Sequence, residues 1–392
     1  MGLASFGAAA VVGTIALAQS CAPAPPPFKD CTATSCPAVA VAGTPTRAIG
    51  VSDPSIRKAK DGTGWMAWSE PFTGSGGRIR VDTHLAKLVG GRWQDQRTLW
   101  GSTDTGSSVT NTETPSIAQD PTTGAWYGAH WLYVHDTQNR VVSWRTEITT
   151  ATATEGPAGL AGPAETTLVG VSSNTIAVGA AAIVHLDRLN PAASTCDFME
   201  PALNITKGVL YLAVSCVDFS GGAEHPDREL VALYEVANPT VPPSRWTWTW
   251  VGKLTNGPAD AKALGDWLGG KVGRAIDATN VLQTDLVTGA DGSTYALFSP
   301  SAPDTGLNDH FGCTAVKVTD LTRAALQRDA AGRPVVAAGA STSDLLADRE
   351  TLSGPAACAY AAVGAGHVVL VRRGWTTGTG GRWRLVDTGI RL

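Results

Sequence analysis

Five stretches of this chain repeat one hairpin pattern. In the first, Asp53-Pro54-Ser55-Ile56 is followed by a Gly-rich turn and Trp65-Met66-Ala67-Trp68. Thr114-Pro115-Ser116-Ile117 precedes Trp126-Tyr127-Gly128-Ala129-His130-Trp131, and Glu200-Pro201-Ala202-Leu203 precedes Leu210-Tyr211-Leu212-Ala213-Val214. Thr284-Asp285-Leu286-Val287 with Tyr295-Ala296-Leu297-Phe298 lacks the proline. Gly354-Pro355-Ala356-Ala357 with His367-Val368-Val369-Leu370 is the most degenerate copy. A β-hairpin recurring over most of a chain predicts a radial β-propeller, which places equivalent strand starts around one axis. Some of those starts carry Asp or Glu.

Composition agrees with an all-β class. The 392 residues contain 44 Gly and 13 Trp against 3 Met, which suits a strand-rich extracellular domain better than a helical bundle. Only 16% of residues are charged and the net charge is −4, so no basic surface for nucleic acid is implied. Beyond the N-terminal stretch, no apolar run reaches the length of a membrane span.

Residues 1–18 are almost wholly small or apolar and end Ala16-Leu17-Ala18, which reads as a signal peptide with an A-x-A-like cleavage site but no positive leading region. Seven cysteines follow it. An odd count in an exported chain needs an explanation, and Cys21 supplies one. Leu17-Ala18-Gln19-Ser20-Cys21, followed by a Pro-rich tether, resembles a bacterial lipobox, with Ala18 where Leu is usual. Lipidation at Cys21 and simple cleavage after Ala18 both stay open. Proximity in the repeat then pairs Cys31 with Cys36, Cys196 with Cys216 and Cys313 with Cys358. No Cys-x-x-Cys or His-Glu-x-x-His spacing supports zinc, and no cofactor is expected.

Residues 19–48 read as a Pro/Ala/Thr-rich linker, and 49–392 as the propeller. Strands at 54–59, 65–69, 78–88 and 92–100 make a four-stranded blade. The second unit repeats this at 114–119, 125–134, 140–149 and 166–171, and the third at 202–206, 209–217, 229–236 and 246–253. In that last strand Trp246, Trp248 and Trp250 would share one face, as blade packing or as a sugar-stacking platform. The units are spaced more widely than the ~45 residues of a bare blade, so long connections are expected, with helical patches at 259–267 and 322–329. The fifth unit is short of strands, and residues 39–49 are the segment expected to complete it. A sixth blade within 165–195 is the alternative.

A five-bladed propeller with acids at its inner strand starts resembles glycosidases of the arabinanase, β-xylosidase and invertase type. The resemblance covers the architecture from about residue 50 onward, on short motifs. It implies a role for an Asp directly before Pro in the first blade, as general base or nucleophile. Asp53 of Ser52-Asp53-Pro54 stands there. It implies a tuning carboxylate after the second Pro, where this chain has Ser116, with Glu113 nearby. It implies an acid two residues before the third Pro, where this chain has Met199, with Glu200 one residue nearer. A one-residue shift in a strand turns a side chain to the other face unless a bulge compensates.

The resulting expectation is a secreted or cell-surface glycosidase-like hydrolase acting on an extracellular carbohydrate. Glu200 would be its acid, Asp53 its base or nucleophile and Glu113 a supporting carboxylate. Asp285, His310 and His367 are the expected substrate-binding residues. The alternative is a non-catalytic propeller that binds glycan or protein. Asp-Pro and Glu-Pro also serve as plain turn dipeptides, and a lone His is often structural. No Gly-x-Ser-x-Gly elbow and no sialidase Ser-x-Asp-x-Gly-x-x-Trp box is present.

Overall fold

A computed structural model describes residues 25–32, 34–45, 47–138, 140–172, 182–220, 224–304, 307–343, 355–373 and 383–392. The expected signal peptide and Cys21 lie outside them. The strands form five sheets, each a blade, and the inner strand of each touches the next until the fifth returns to the first.

Blade 1 runs Ser52–Lys58, Gly64–Thr73, Ile79–Val89 and Arg92–Trp100 from the axis outward. Blade 2 runs Ser108–Gln119, Trp126–Asp136, Val141–Ala151 and Thr166–Val169, with Ala182–His185 added in parallel at its edge. Residues 166–169 and 182–185 thus belong to blade 2, and the described residues hold no sixth blade. Blade 3 runs Asp197–Thr206, Val209–Val217, Leu230–Val236 and Thr249–Lys253. Blade 4 runs Asn280–Thr288, Thr294–Asp304, Cys313–Asp320 and Val336–Ser341. Blade 5 has Ala356–Ala359, Val369–Arg373 and Trp383–Asp387.

Five buried clusters fill the five blade-to-blade interfaces. The reason is the two-residue period of a strand. In Val209–Val217, Leu210, Leu212 and Val214 pack toward blade 2, while Tyr211 and Ala213 pack toward blade 4. A strand buried on both faces has no polar side to alternate, and its sequence is accordingly a continuous apolar run. Trp246 and Trp248 precede the outer strand of blade 3 and are buried in the blade 2–blade 3 cluster, so they pack rather than form a platform.

Segment 28–42, expected as linker, laces the ring shut. Phe28–Asp30 adds a parallel strand to blade 4, Ala38–Val39 supplies the missing fourth strand of blade 5, and Val41–Ala42 pairs with blade 1. The segment completing blade 5 thus overlaps the predicted 39–49 only at Val39, and the other described residues of that stretch add no strand to blade 5. All three disulfides join the cysteines that proximity paired. The patch at 259–267 is the core of a helix, Pro258–Val272, opened by Pro and closed by Gly273 in the left-handed conformation. At 322–329 there is instead one 3-10 turn, Leu321–Arg323, and the short strand Ala325–Leu326.

Candidate active site

Each inner strand is broken by a register shift at the same level: Ser52/Ser55, opposite Ala129/Trp131, Met199/Ala202, Gln283/Asp285 and Ala356/Cys358. At four of them a non-glycine residue takes a positive φ: Asp53 (45°), Thr114 (46°), Glu200 (55°) and Ala357 (45°). An L-residue in this region costs roughly 1–2 kcal/mol, and such strain clusters where a side chain must be aimed. The bulge answers the question left by the offset of Glu200. Asp53 and Glu200 each stand directly before their Pro, in the same conformation, on equivalent bulges, and both line one axial pocket with a cavity volume of about 50 Å³. Thr114, Thr284 and Ala357 line it from the corresponding positions of the other blades.

Serines hold the bulges. Ser69 Oγ accepts from Thr114 N (3.1 Å), Ser215 Oγ from Gln283 N (2.8 Å) and Ser299 Oγ from Ala357 N (3.1 Å). Each sits at the mouth end of a second strand and anchors the bulge of the next blade. Ser215 also donates to Glu200 Oε2 at 3.4 Å, and Ser69 stands in the same relation to Asp53. Ser52 Oγ donates to Asp53 Oδ2 at 3.1 Å. The sequence signal was present but unread: a lone Ser closes Trp65-Met66-Ala67-Trp68, Leu212-Ala213-Val214 and Ala296-Leu297-Phe298.

The carboxyls sense one another. Burial pushes Asp53 up to about 6 against its serine hydrogen bonds. Burial, then the Asp53 charge, pushes Glu113 up to about 8, opposed by a hydrogen bond from Tyr133. Burial, then the charges of Asp53 and Glu113, holds Glu200 well above the usual carboxylate range. Three acids sharing a poorly solvated site cannot all ionise near neutrality, so the proton resides preferentially on Glu200 and Glu113. All three nonetheless keep partial exposure.

The other expected residues separate. His310 lines the pocket, with Nδ1 lacking a hydrogen-bond partner among the described residues, and burial pushes it down to about 4, leaving it neutral. Asp285 does not line the pocket. It is buried below it, paired with both Arg57 terminal nitrogens at 2.9 and 2.6 Å. Arg57 Nη2 also donates to Leu203 O at 2.9 Å, so blades 1, 3 and 4 meet across the axis and close its floor. His367 lies in an outer cleft, with Nδ1 3.1 Å from Asp387 Oδ1, away from the axis.

No protein-family model and no curated protein matches the chain. Among solved structures it is similar to an alpha-L-arabinanase of Penicillium chrysogenum, at 12% identity and a TM-score of 0.49, over 91% of this chain and 99% of that one. It is similar to a Bacillus subtilis arabinanase at 13% identity and a TM-score of 0.46, over 86% and 95%. A family 117 glycoside hydrolase of Zobellia galactanivorans is similar at 12% identity and a TM-score of 0.47, over 90% and 89%. Likeness at this level concerns the ring of blades, and the chemistry of the site stands on its own residues.

A second acidic group, Glu70, Asp82 and His84, could hold a metal by spacing. Its own chain supplies the cations instead. Arg47 reaches Glu70 at 3.1 Å and Asp82 at 2.6 Å. Burial would push His84 down, but hydrogen bonds to Asp95 and Glu70 outweigh it and raise it to about 9.

The acid cluster has a stability signature. A carboxyl raised by folding binds its proton more tightly in the native state, so its contribution is intact below the unfolded value and lost as pH rises through the folded one. For Glu113 that window runs from 4.5 to about 8. Glu113→Gln is therefore expected to leave the melting temperature nearly unchanged at pH 4 and to raise it at pH 8. Thermal scans at both pH values check this, and an equal shift at both would contradict it.

Proposed function

We propose that this protein is an exported glycoside hydrolase that cleaves carbohydrate between Asp53 and Glu200. One observation carries the reading: two acids on equivalent strained bulges, on different blades, border the same pocket with their proton affinities pushed apart. Glycoside hydrolysis needs this division, with one carboxyl protonated to donate to the leaving oxygen and one ionised to activate water or attack the anomeric carbon. Asp53, the more acidic, takes the second role and Glu200 the first. Burial and the Asp53 charge hold Glu200 protonated, and Glu113, itself protonated near neutrality, adds a neighbouring carboxyl. Thr114 Oγ1, Gln283 Oε1 and His310 Nδ1, all without protein partners among the described residues, are placed to meet sugar hydroxyls. The three disulfides fit an oxidising compartment.

The test is a hydrolysis screen over polysaccharides and oligosaccharides, run beside Asp53→Asn. Hydrolysis of at least one glycan, abolished by the substitution, is expected. Its rate should climb as pH passes about 6, where Asp53 ionises, and fall at higher pH as Glu200 loses its proton. Binding without turnover would leave a non-catalytic glycan-binding propeller. Turnover indifferent to Asp53→Asn would remove the mechanism.

A further inference from the structure

Outside the carboxyl pocket, the pocket-mouth end of blades 2 and 3 carries a continuous run of aromatic rings. Tyr133, whose hydroxyl bonds Glu113, lies 4.3 Å ring to ring from Trp131. Trp131 is 6.0 Å from Trp144, and Trp144 is 5.2 Å from Phe219 just beyond the second strand of blade 3. Exposure grows along the run: Trp131 and Tyr133 are buried, Trp144 is half-buried and Phe219 is 40% exposed. The Trp144 indole N–H is enclosed, and it favours the ionised form of the buried Asp197 carboxylate, which itself accepts from Ser172 N at 3.0 Å. A half-exposed indole with its polar edge enclosed presents an apolar face to solvent.

We infer that Trp144 and Phe219 form a stacking track for further sugar units of an extended oligosaccharide or polysaccharide, leading from the carboxyl pocket across the blade 2–blade 3 edge. The inference rests on the glycosidase reading for the position of the reacting bond. A sugar ring offers an apolar C–H face and a polar rim, which matches aromatic faces with the Asp197 carboxylate beside the Trp144 edge. The buried start of the run, Tyr133, bonds Glu113 next to the pocket residue Thr114, and its exposed end at Trp144 and Phe219 is where a chain leaving the carboxyls would lie. A protein partner would call for roughly 800 Å² of surface on this side, far more than two partly exposed rings offer. A membrane surface is disfavoured by the net charge of −4.

The test uses full-length Asp53→Asn, which holds glycan without cutting it, titrated calorimetrically with arabinan, arabinoxylan and mannan and with their oligosaccharides of two to six units. Adding Phe219→Ala is expected to weaken binding of the longest oligosaccharides about tenfold and to leave the disaccharide unchanged, whereas Phe219→Tyr keeps the affinity. Trp144→Ala should act in the same direction. Equal losses on short and long ligands, no loss with Phe219→Ala, or no saccharide bound at any length would each overturn the track. The two readings fail separately. Length-dependent binding with no turnover by the unmodified protein keeps the track and ends the hydrolase. Turnover whose kcat/KM on long chains ignores Phe219→Ala does the reverse.

Discussion

Glu200→Gln is expected to lower kcat on glycosides with poor leaving groups by roughly 10²–10⁴-fold, the usual worth of a positioned general acid. Glutamine keeps the shape and the contact with Ser215 but has no proton to give. A dinitrophenyl glycoside, whose leaving group needs little protonation, should lose only a few-fold. The alkaline limb of the pH profile should flatten, because the ionisation that sets it is gone. Asp53→Asn should instead cripple both substrates alike, since activation of water or attack on the anomeric carbon is required whatever leaves. Parallel kinetics on the two glycosides separate the roles. If Glu200→Gln loses as much on the activated substrate as on the natural one, Glu200 is not the acid.

Arg57→Met is expected to be the most damaging single change to stability, by about 3–5 kcal/mol, because it strands a buried carboxylate. The pair is well enclosed, with side-chain exposures of 13% for Arg57 and 1% for Asp285. Burial already raises Asp285, and the Arg57 charge is the largest influence opposing that rise. Without it the carboxyl rises further, so the loss should be smallest at acid pH, where both folded and unfolded forms are protonated, and should grow as pH increases. Urea unfolding at pH 4 and pH 8 measures this. The double variant Arg57→Met with Asp285→Leu should recover part of the loss, since an apolar pair leaves no orphaned charge. A cost under about 1 kcal/mol for Arg57→Met would mean that water reaches Asp285 and the floor is open.

Much of the fold is legible in the chain. Two-residue alternation, turn residues and the recurring Pro place the strands of the first three blades to within about six residues, and only the inner hairpins of the last two. The helix at 258–272 shows in its patch and in its Pro and Gly borders. Cysteine proximity within the repeat matches the disulfides. These are short-range properties, set by which neighbours along the chain can be buried together. The separation of Asp285 from the pocket was not legible, because Arg57 meets it from 228 residues away. The outward placement of His367 was equally hidden, since its strand hairpin reads the same whichever cleft it borders.

Sequence by itself determined a ring of apolar hairpins and which acids begin its inner strands. Only the tertiary structure decided where those acids point. Counting from Pro201 puts Glu200 one residue away from the position the resemblance asks for, and in a regular strand that means the opposite face. The bulge, pinned by serines of adjacent strands and neighbouring blades, turns Glu200 to the axis as it turns Asp53. Side-chain direction at a bulge depends on hydrogen bonds between segments far apart in the chain, and those exist only once the blades have closed into a ring.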